Sequence, residues 1–177
     1  DRGLQPLGDF GASHQRPRRA DGGAVFGEWW KGDCGNGKLK MEIIEQFPFN
    51  QNLGFNRKVF DYIKNLSCHG DIAQALTRSM KPCGDVQIYS PDIKHFRYVT
   101  VSTQKIIFGF GIGMDTIAFR LNKKMKAIAV QTGGKPFPEC GDDWVSFEPF
   151  RCDWPRVDLE FWALKAYLNI RESVGLA

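Results

Sequence analysis

The chain has 177 residues, 42% of them apolar and 13% aromatic, enough for one domain whose core draws on fourteen Phe and five Trp. Twenty-four Lys and Arg against twenty Asp and Glu leave a formal charge of +4. That surplus permits DNA contact but is too small to argue for a dedicated nucleic-acid binder.

Five scattered Cys without a Cys-x-x-Cys pair, and only three His, argue against a disulfide framework and a structural zinc site. Reduced thiols in a cytoplasm are the expected state. No run reaches the roughly 18 apolar residues of a membrane helix, and residues at the N-terminus lack a signal-type apolar stretch.

Residues 1–40 hold nearly half of the 19 glycines, carry Arg16-Pro17-Arg18-Arg19 and contain neither Ile nor Tyr. Such a segment has too little apolar surface to offset its ordering entropy. It reads as disordered, or as a leader ahead of a start at Met41. Within it the Arg cluster is a candidate nucleic-acid arm, and Val25, Phe26, Trp29 and Trp30 a candidate docking element. Residues 41–177 read as a single α+β domain.

Asn56 is a candidate N-cap for a helix over 57–66, with Val59, Phe60, Ile63 and Leu66 on one face. Asp71 is placed to cap a second helix whose stripe is Ile72, Ala75, Leu76 and Met80, ended by Pro82 and Gly84. Strands are predicted over 86–89, 98–101, 106–112 and 116–121, with turns at Ser90-Pro91-Asp92, Thr103-Gln104 and Gly113-Met114-Asp115. On the third strand, strict alternation groups Ile106, Phe108, Phe110 and Ile112 on one face. It puts Ile107, Gly109, Gly111 and Gly113 on the other, leaving a smooth groove.

Asn122 then caps a helix running to about Thr132, closed by Gly133 or Gly134 and by Pro136 and Pro138. A strand over 144–150 follows, and Pro155 opens the last helix. Its expected buried face is Val157, Phe161, Leu164 and Leu168, flanked by Trp154, Trp162 and Tyr167. The architecture expected is α+β, an antiparallel β meander covered on one face by helices.

The run from Ile106 to Arg171 resembles the TfoX N-terminal domain and the MmcQ/YjbR-like family. A hairpin feeds a short helix, then Gly133-Gly134-Lys135-Pro136-Phe137, a strand, and a final helix with the Trp162-Ala163 pair. Where that family has a Met-Phe-Gly-Gly segment, this chain has Ser90-Pro91-Asp92-Ile93-Lys94-His95-Phe96. The resemblance implies a small cytoplasmic regulator of bacterial type, with DNA as a possible partner. It implies no cofactor and no catalytic residue.

Several constellations invite chemistry. Gly109-x-Gly-x-Gly113 is followed by a strand rather than a helix, so it reads as hairpin glycines, not a phosphate loop. Cys68-His69 are adjacent and do not face each other on a helix, which disfavours a thiol–base pair. Cys140 and Cys152 flank a strand and read as buried, inert thiols. Glu139, Asp142, Asp143, Glu148 and Asp153 match no calcium-loop spacing and read as a solvated loop.

Arg120, Lys123, Lys124, Lys126 and Lys135 form a candidate phosphate-facing surface, with Lys94, His95, Arg97 and Lys105 bordering the meander. Gly109, Gly111, Gly113, Trp144 and Trp162 form a candidate ligand pocket between the sheet and the last helix. No catalytic residue, metal ligand or cofactor is assigned. The function expected is a non-enzymatic binding or regulatory module whose partner is a protein or DNA. The alternative is a small enzyme or ligand-binding protein using that pocket. The oligomeric state is left open.

Overall fold

The computed structural model describes residues 43–44, 54–92, 97–151 and 157–175, all within the unit Cys34–Ala177. The expectations for residues 1–40, Met41, Lys94, His95, Cys152, Asp153, Trp154 and Pro155 fall outside those residues. In chain order the elements are β1 (Ile43–Ile44), α1 (Gly54–Ile63), α2 (Gly70–Ser79), β2 (Gln87–Tyr89), β3 (Val99–Thr103), β4 (Ile106–Ile112) and β5 (Thr116–Arg120). They continue with α3 (Lys123–Gln131), β6 (Lys135–Pro136), β7 (Trp144–Phe147) and α4 (Leu159–Ser173).

The strands make one seven-stranded sheet in the order β1-β2-β3-β4-β5-β7-β6. Every pairing is antiparallel except the short parallel β1–β2 pair. The α+β class and the central meander β2–β5 therefore hold. The helix cover does not stay on one face. Ile72, Leu76, Ala163 and Ala166 of α2 and α4 pack with Val101, Phe108, Phe119 and Phe147 on one side of the sheet. Val59 and Ile63 of α1 pack with Ile107, Phe110, Ala118 and Trp144 on the other. An antiparallel sheet can leave one face to solvent, but α1 and the segment around Phe137 and Cys140 cover this one.

The reason both faces are apolar lies partly in β4. Val101 pairs with Gly109, but Ser102 pairs with Ile107, so Phe108 is an extra residue in the ladder. This bulge reverses the alternation. Phe108 joins the α2–α4 core and Phe110 and Ile112 join the α1 core, so the expected row of four on one face is split. Gly109 and Gly111 then point into the α2–α4 side. A Cβ at Gly109 would lie 2.8 Å from both Phe119 and Val101, and one at Gly111 would lie 3.0 Å from Ile72. The expected groove is filled by those side chains.

Local chemistry explains the helix ends. The Asn122 side chain accepts from Met125 N–H at 2.9 Å, and Gly133 takes a left-handed φ of 106° where α3 stops. Two caps differ from expectation. Asn56 lies inside α1, fully buried, and bonds the β3–β4 hairpin instead. Asp71 is in the first turn of α2, whose cap is His69 through its Nδ1. Asp158 caps α4, and the buried face is Trp162, Ala163, Ala166, Tyr167 and Ile170. Phe161 and Leu168, expected inside, are exposed.

Candidate phosphate-facing cleft

Arg120 is the last residue of β5, and its neighbour Trp144 is the first of β7, paired across the ladder. Trp144 is buried, its ring tilted against that of Phe110 at 5.0 Å between centroids. The turn before β7 is fixed by Gly141 N–H donating to Pro138 O and Trp144 N–H donating to Gly141 O. It delivers Asp143 to Arg120, whose Nη2 and Nε lie 3.2 and 3.4 Å from the same Asp143 oxygen. From the same side, α1 brings Gly54 and, one turn later, Lys58. Gly54, Lys58, Arg120, Cys140, Gly141, Asp143 and Trp144 line a cleft of about 270 Å³.

The charges of this cleft are set by position. Lys58 is exposed on α1, opposite the apolar stripe of Val59 and Ile63, and α1 has no acidic residue in its first turn. Burial, reinforced by the charge of Glu139, pushes the Cys140 thiol up to about 12, so it stays protonated and apolar at the cleft wall. Tyr62 is shifted up for the same reason, burial first and the charges of Glu139 and Cys140 second.

The five cations expected to act together are divided. Lys123 and Lys124 stand exposed at the start of α3, three and four residues beyond Arg120. Lys126 donates to the Asp142 carbonyl. Lys135, on β6, is ion-paired with Glu148, which also holds Arg151. Those two cations hold the Glu148 carboxyl below the usual range, with hydrogen bonds from Lys135 and then Arg151 as the main causes. Arg120, Lys123, Lys124 and Lys126 thus share one end of the β5–α3 connection, while Lys135 belongs to the β6 edge.

The expected ligand-pocket residues do not converge. Trp144 belongs to the α1 core and Trp162 to the α2–α4 core, on opposite sides of the sheet. Gly109 and Gly111 are closed over by side chains, and Gly113 sits in the β4–β5 turn with φ 64°. Only Trp144 of that set lines the cleft.

The remaining chemical candidates are committed to structure. Burial pushes the Cys68 thiol up to about 12, and its sulfur donates to the His69 carbonyl while the His69 ring caps α2. Of the acidic residues of the 139–148 region, Asp143 pairs with Arg120, and Glu148 pairs with Lys135 and Arg151. Among the described residues, no three His, Cys, Asp or Glu side chains are grouped to hold a metal ion. No helix among them is long and apolar enough to cross a membrane.

Lys58 is the cleft residue that sequence reasoning missed. It lies 62 positions from Arg120, and only the packing of α1 on β4 brings the two together. Comparison of the chain with family models, curated proteins and solved structures finds no match.

Proposed function

We propose that this domain is a non-enzymatic, cytoplasmic binding module that contacts a phosphate-bearing partner, nucleic acid foremost. Kinship with the TfoX N-terminal and MmcQ/YjbR-like proteins is part of the same proposal, supported by the order hairpin, short helix, strand, closing helix. The observation that carries the binding reading is the convergence of Lys58 and Arg120 on one cleft from α1 and β5. Lys123 and Lys124 stand just beyond, exposed at the start of α3. Lysines there oppose the helix dipole, an unfavourable placement that an external anion relieves. The three described free thiols, all buried, support a reducing compartment.

The test is a titration of the full chain with mixed-sequence duplex DNA at two salt concentrations. The expected result is affinity that falls steeply with salt, and a salt slope reduced by roughly 0.9 for each of Lys123→Gln and Lys124→Gln. Absence of binding at about 100 µM, where non-specific phosphate binders ordinarily register, overturns it.

A second reading, a protein partner, is favoured by α4. Phe161 and Leu168 lie two turns apart on that helix, and 41% and 39% of their surfaces are exposed. Leu168→Ser then abolishes partner binding or changes the sedimentation coefficient without lowering stability. If it does neither, that face is ordinary surface.

A further inference from the structure

We propose that α4 docks on α4 of a second copy of this chain, antiparallel, about a twofold axis between Lys165 and Leu168. The inference rests on reading the outer face of α4 as a protein-docking surface, and it names the partner.

Helical spacing sets that face. Trp162, Ala163, Ala166, Tyr167 and Ile170 take the inner side of this 15-residue helix. Phe161, Lys165, Leu168 and Glu172 follow at steps of four, three and four, which aligns them in one stripe on the outer side. Phe161 and Leu168 are 41% and 39% exposed, Glu172 is exposed and Lys165 half-buried. Leu164 borders the stripe and packs, partly buried, against the α2–α4 core.

Three observations select a second copy as the occupant. First, the stripe carries one cation and one anion, Lys165 and Glu172. Its charge favours neither a polyanion nor a uniformly basic or acidic segment. Second, the order is complementary to its own reverse. An antiparallel copy sets Phe161 opposite Glu172 and Lys165 opposite Leu168, and a twofold axis makes each match twice.

Third, Lys165 already points where that register needs it. Helical side chains lean toward the N-terminus, and Lys165 Nζ lies 5.3 Å from the Phe161 ring centroid. The ammonium therefore stands at the level of Phe161, which Glu172 of the second copy faces. The ion pair closes over the ring without a change in the lysine, while the methylene stem of Lys165 covers Leu168 of the second copy. One helix face is at the small end of specific interfaces, so the association is weak and reversible.

The experiment is sedimentation velocity of the full chain from about 5 to 500 µM, a range suited to an interface of that size. The expected result is a sedimentation coefficient that rises with concentration toward a dimer. Leu168→Ser should hold the chain monomeric. Lys165→Glu and Glu172→Lys each set like charges against each other twice, and each alone should weaken association at least about tenfold. Mixed in equal amounts, these two variants regain both opposite-charge pairs and should dimerise with each other. A merely structural role of either residue predicts no such rescue. Unchanged urea midpoints show that the variants remain folded.

A mixture that stays monomeric overturns the inference. So does a dimer that persists in Leu168→Ser and in both charge variants, because its interface lies elsewhere. If the unaltered chain stays monomeric while Leu168→Ser abolishes binding of a different protein, the second-copy inference falls and the protein-docking reading of α4 stands. If neither association is seen, both fall.

Discussion

The β3–β4 hairpin turns on Gln104 and Lys105, both in the left-handed region with φ of 51° and 62°. Non-glycine residues pay about 1–3 kcal/mol each for that conformation unless their surroundings enforce it. Asn56 supplies the enforcement. Its Nδ2 donates to the Lys105 carbonyl at 2.8 Å, and its Oδ1 accepts from Ile107 N–H at 3.0 Å, clasping both sides of the turn from α1. Asn56→Ala removes both of these bonds at once and leaves a part-buried carbonyl and a buried strand amide without them. The expected loss is about 2–4 kcal/mol, one desolvation penalty for each group. Urea unfolding should show it as a lower midpoint with an unchanged slope. A loss below about 1 kcal/mol would mean that water replaces the amide and that the turn holds itself.

At the scale of elements, the bulge in β4 decides the packing. By putting Phe108 and Gly109 in succession on the α2–α4 side, it brings the Gly109 backbone against Phe119 and Val101. Gly109→Ala forces a methyl into that contact and should destabilise by about 1–3 kcal/mol through overpacking. The same change in a Val101→Ala background should cost at least about 0.5 kcal/mol less, because half of the clash has been removed. Equal costs in the two backgrounds would show that strand distortion, not the Val101 contact, is responsible.

The same bulge marks how far the fold was legible. Strand β4 was readable to the residue, and α3 to within one residue of its end, because Asn122 and Gly133 carry local backbone chemistry. Nothing in Ile106-Ile107-Phe108-Gly109 announces an extra residue in the ladder. A period-2 reading therefore misassigns every side chain beyond Phe108. On α4 the expected face was the large apolar set Val157, Phe161, Leu164 and Leu168, whereas the helix begins after Asp158 and buries Ala163 and Ala166 together with Trp162, Tyr167 and Ile170. That face combines two small residues, which let the helix approach the sheet, with the rings of Trp162 and Tyr167, and it leaves Phe161 and Leu168 outside. The cleft was half legible. The cations after β5 were visible as a cluster, but Lys58 was not, because its partnership with Arg120 exists only in the tertiary fold.

For the whole molecule, the sheet separates two cores, and each contains thiols that folding keeps from water. Cys68 and Cys83 lie in the α2–α4 core and Cys140 in the α1 core. Burial raises all three from an ordinary 9.0 to about 12. Burial also raises the Tyr98 phenol, with the neighbouring Tyr89 adding to the shift. The sign of the stability effect follows from proton counting. Between about pH 9 and 12 the folded chain keeps protons that the unfolded chain releases, so alkaline solution favours unfolding.

Stability contributed by these groups is complete below about pH 8 and declines as pH rises through that window. By pH 10 the expected decline is on the order of 1 kcal/mol per thiol, one unit above the unfolded value being worth about 1.4 kcal/mol. Urea midpoints measured from pH 7 to 10 should fall accordingly, and combined substitution of Cys68, Cys83 and Cys140 by Ala should flatten the curve while lowering it at pH 7. A curve equally steep without the thiols would move the effect to Tyr98, the other buried group whose proton the folded chain keeps. Thiol reagents give the same argument a second reading. The three sulfurs should stay unmodified at pH 8 until urea exposes them, because a buried, protonated sulfur is neither reachable nor nucleophilic.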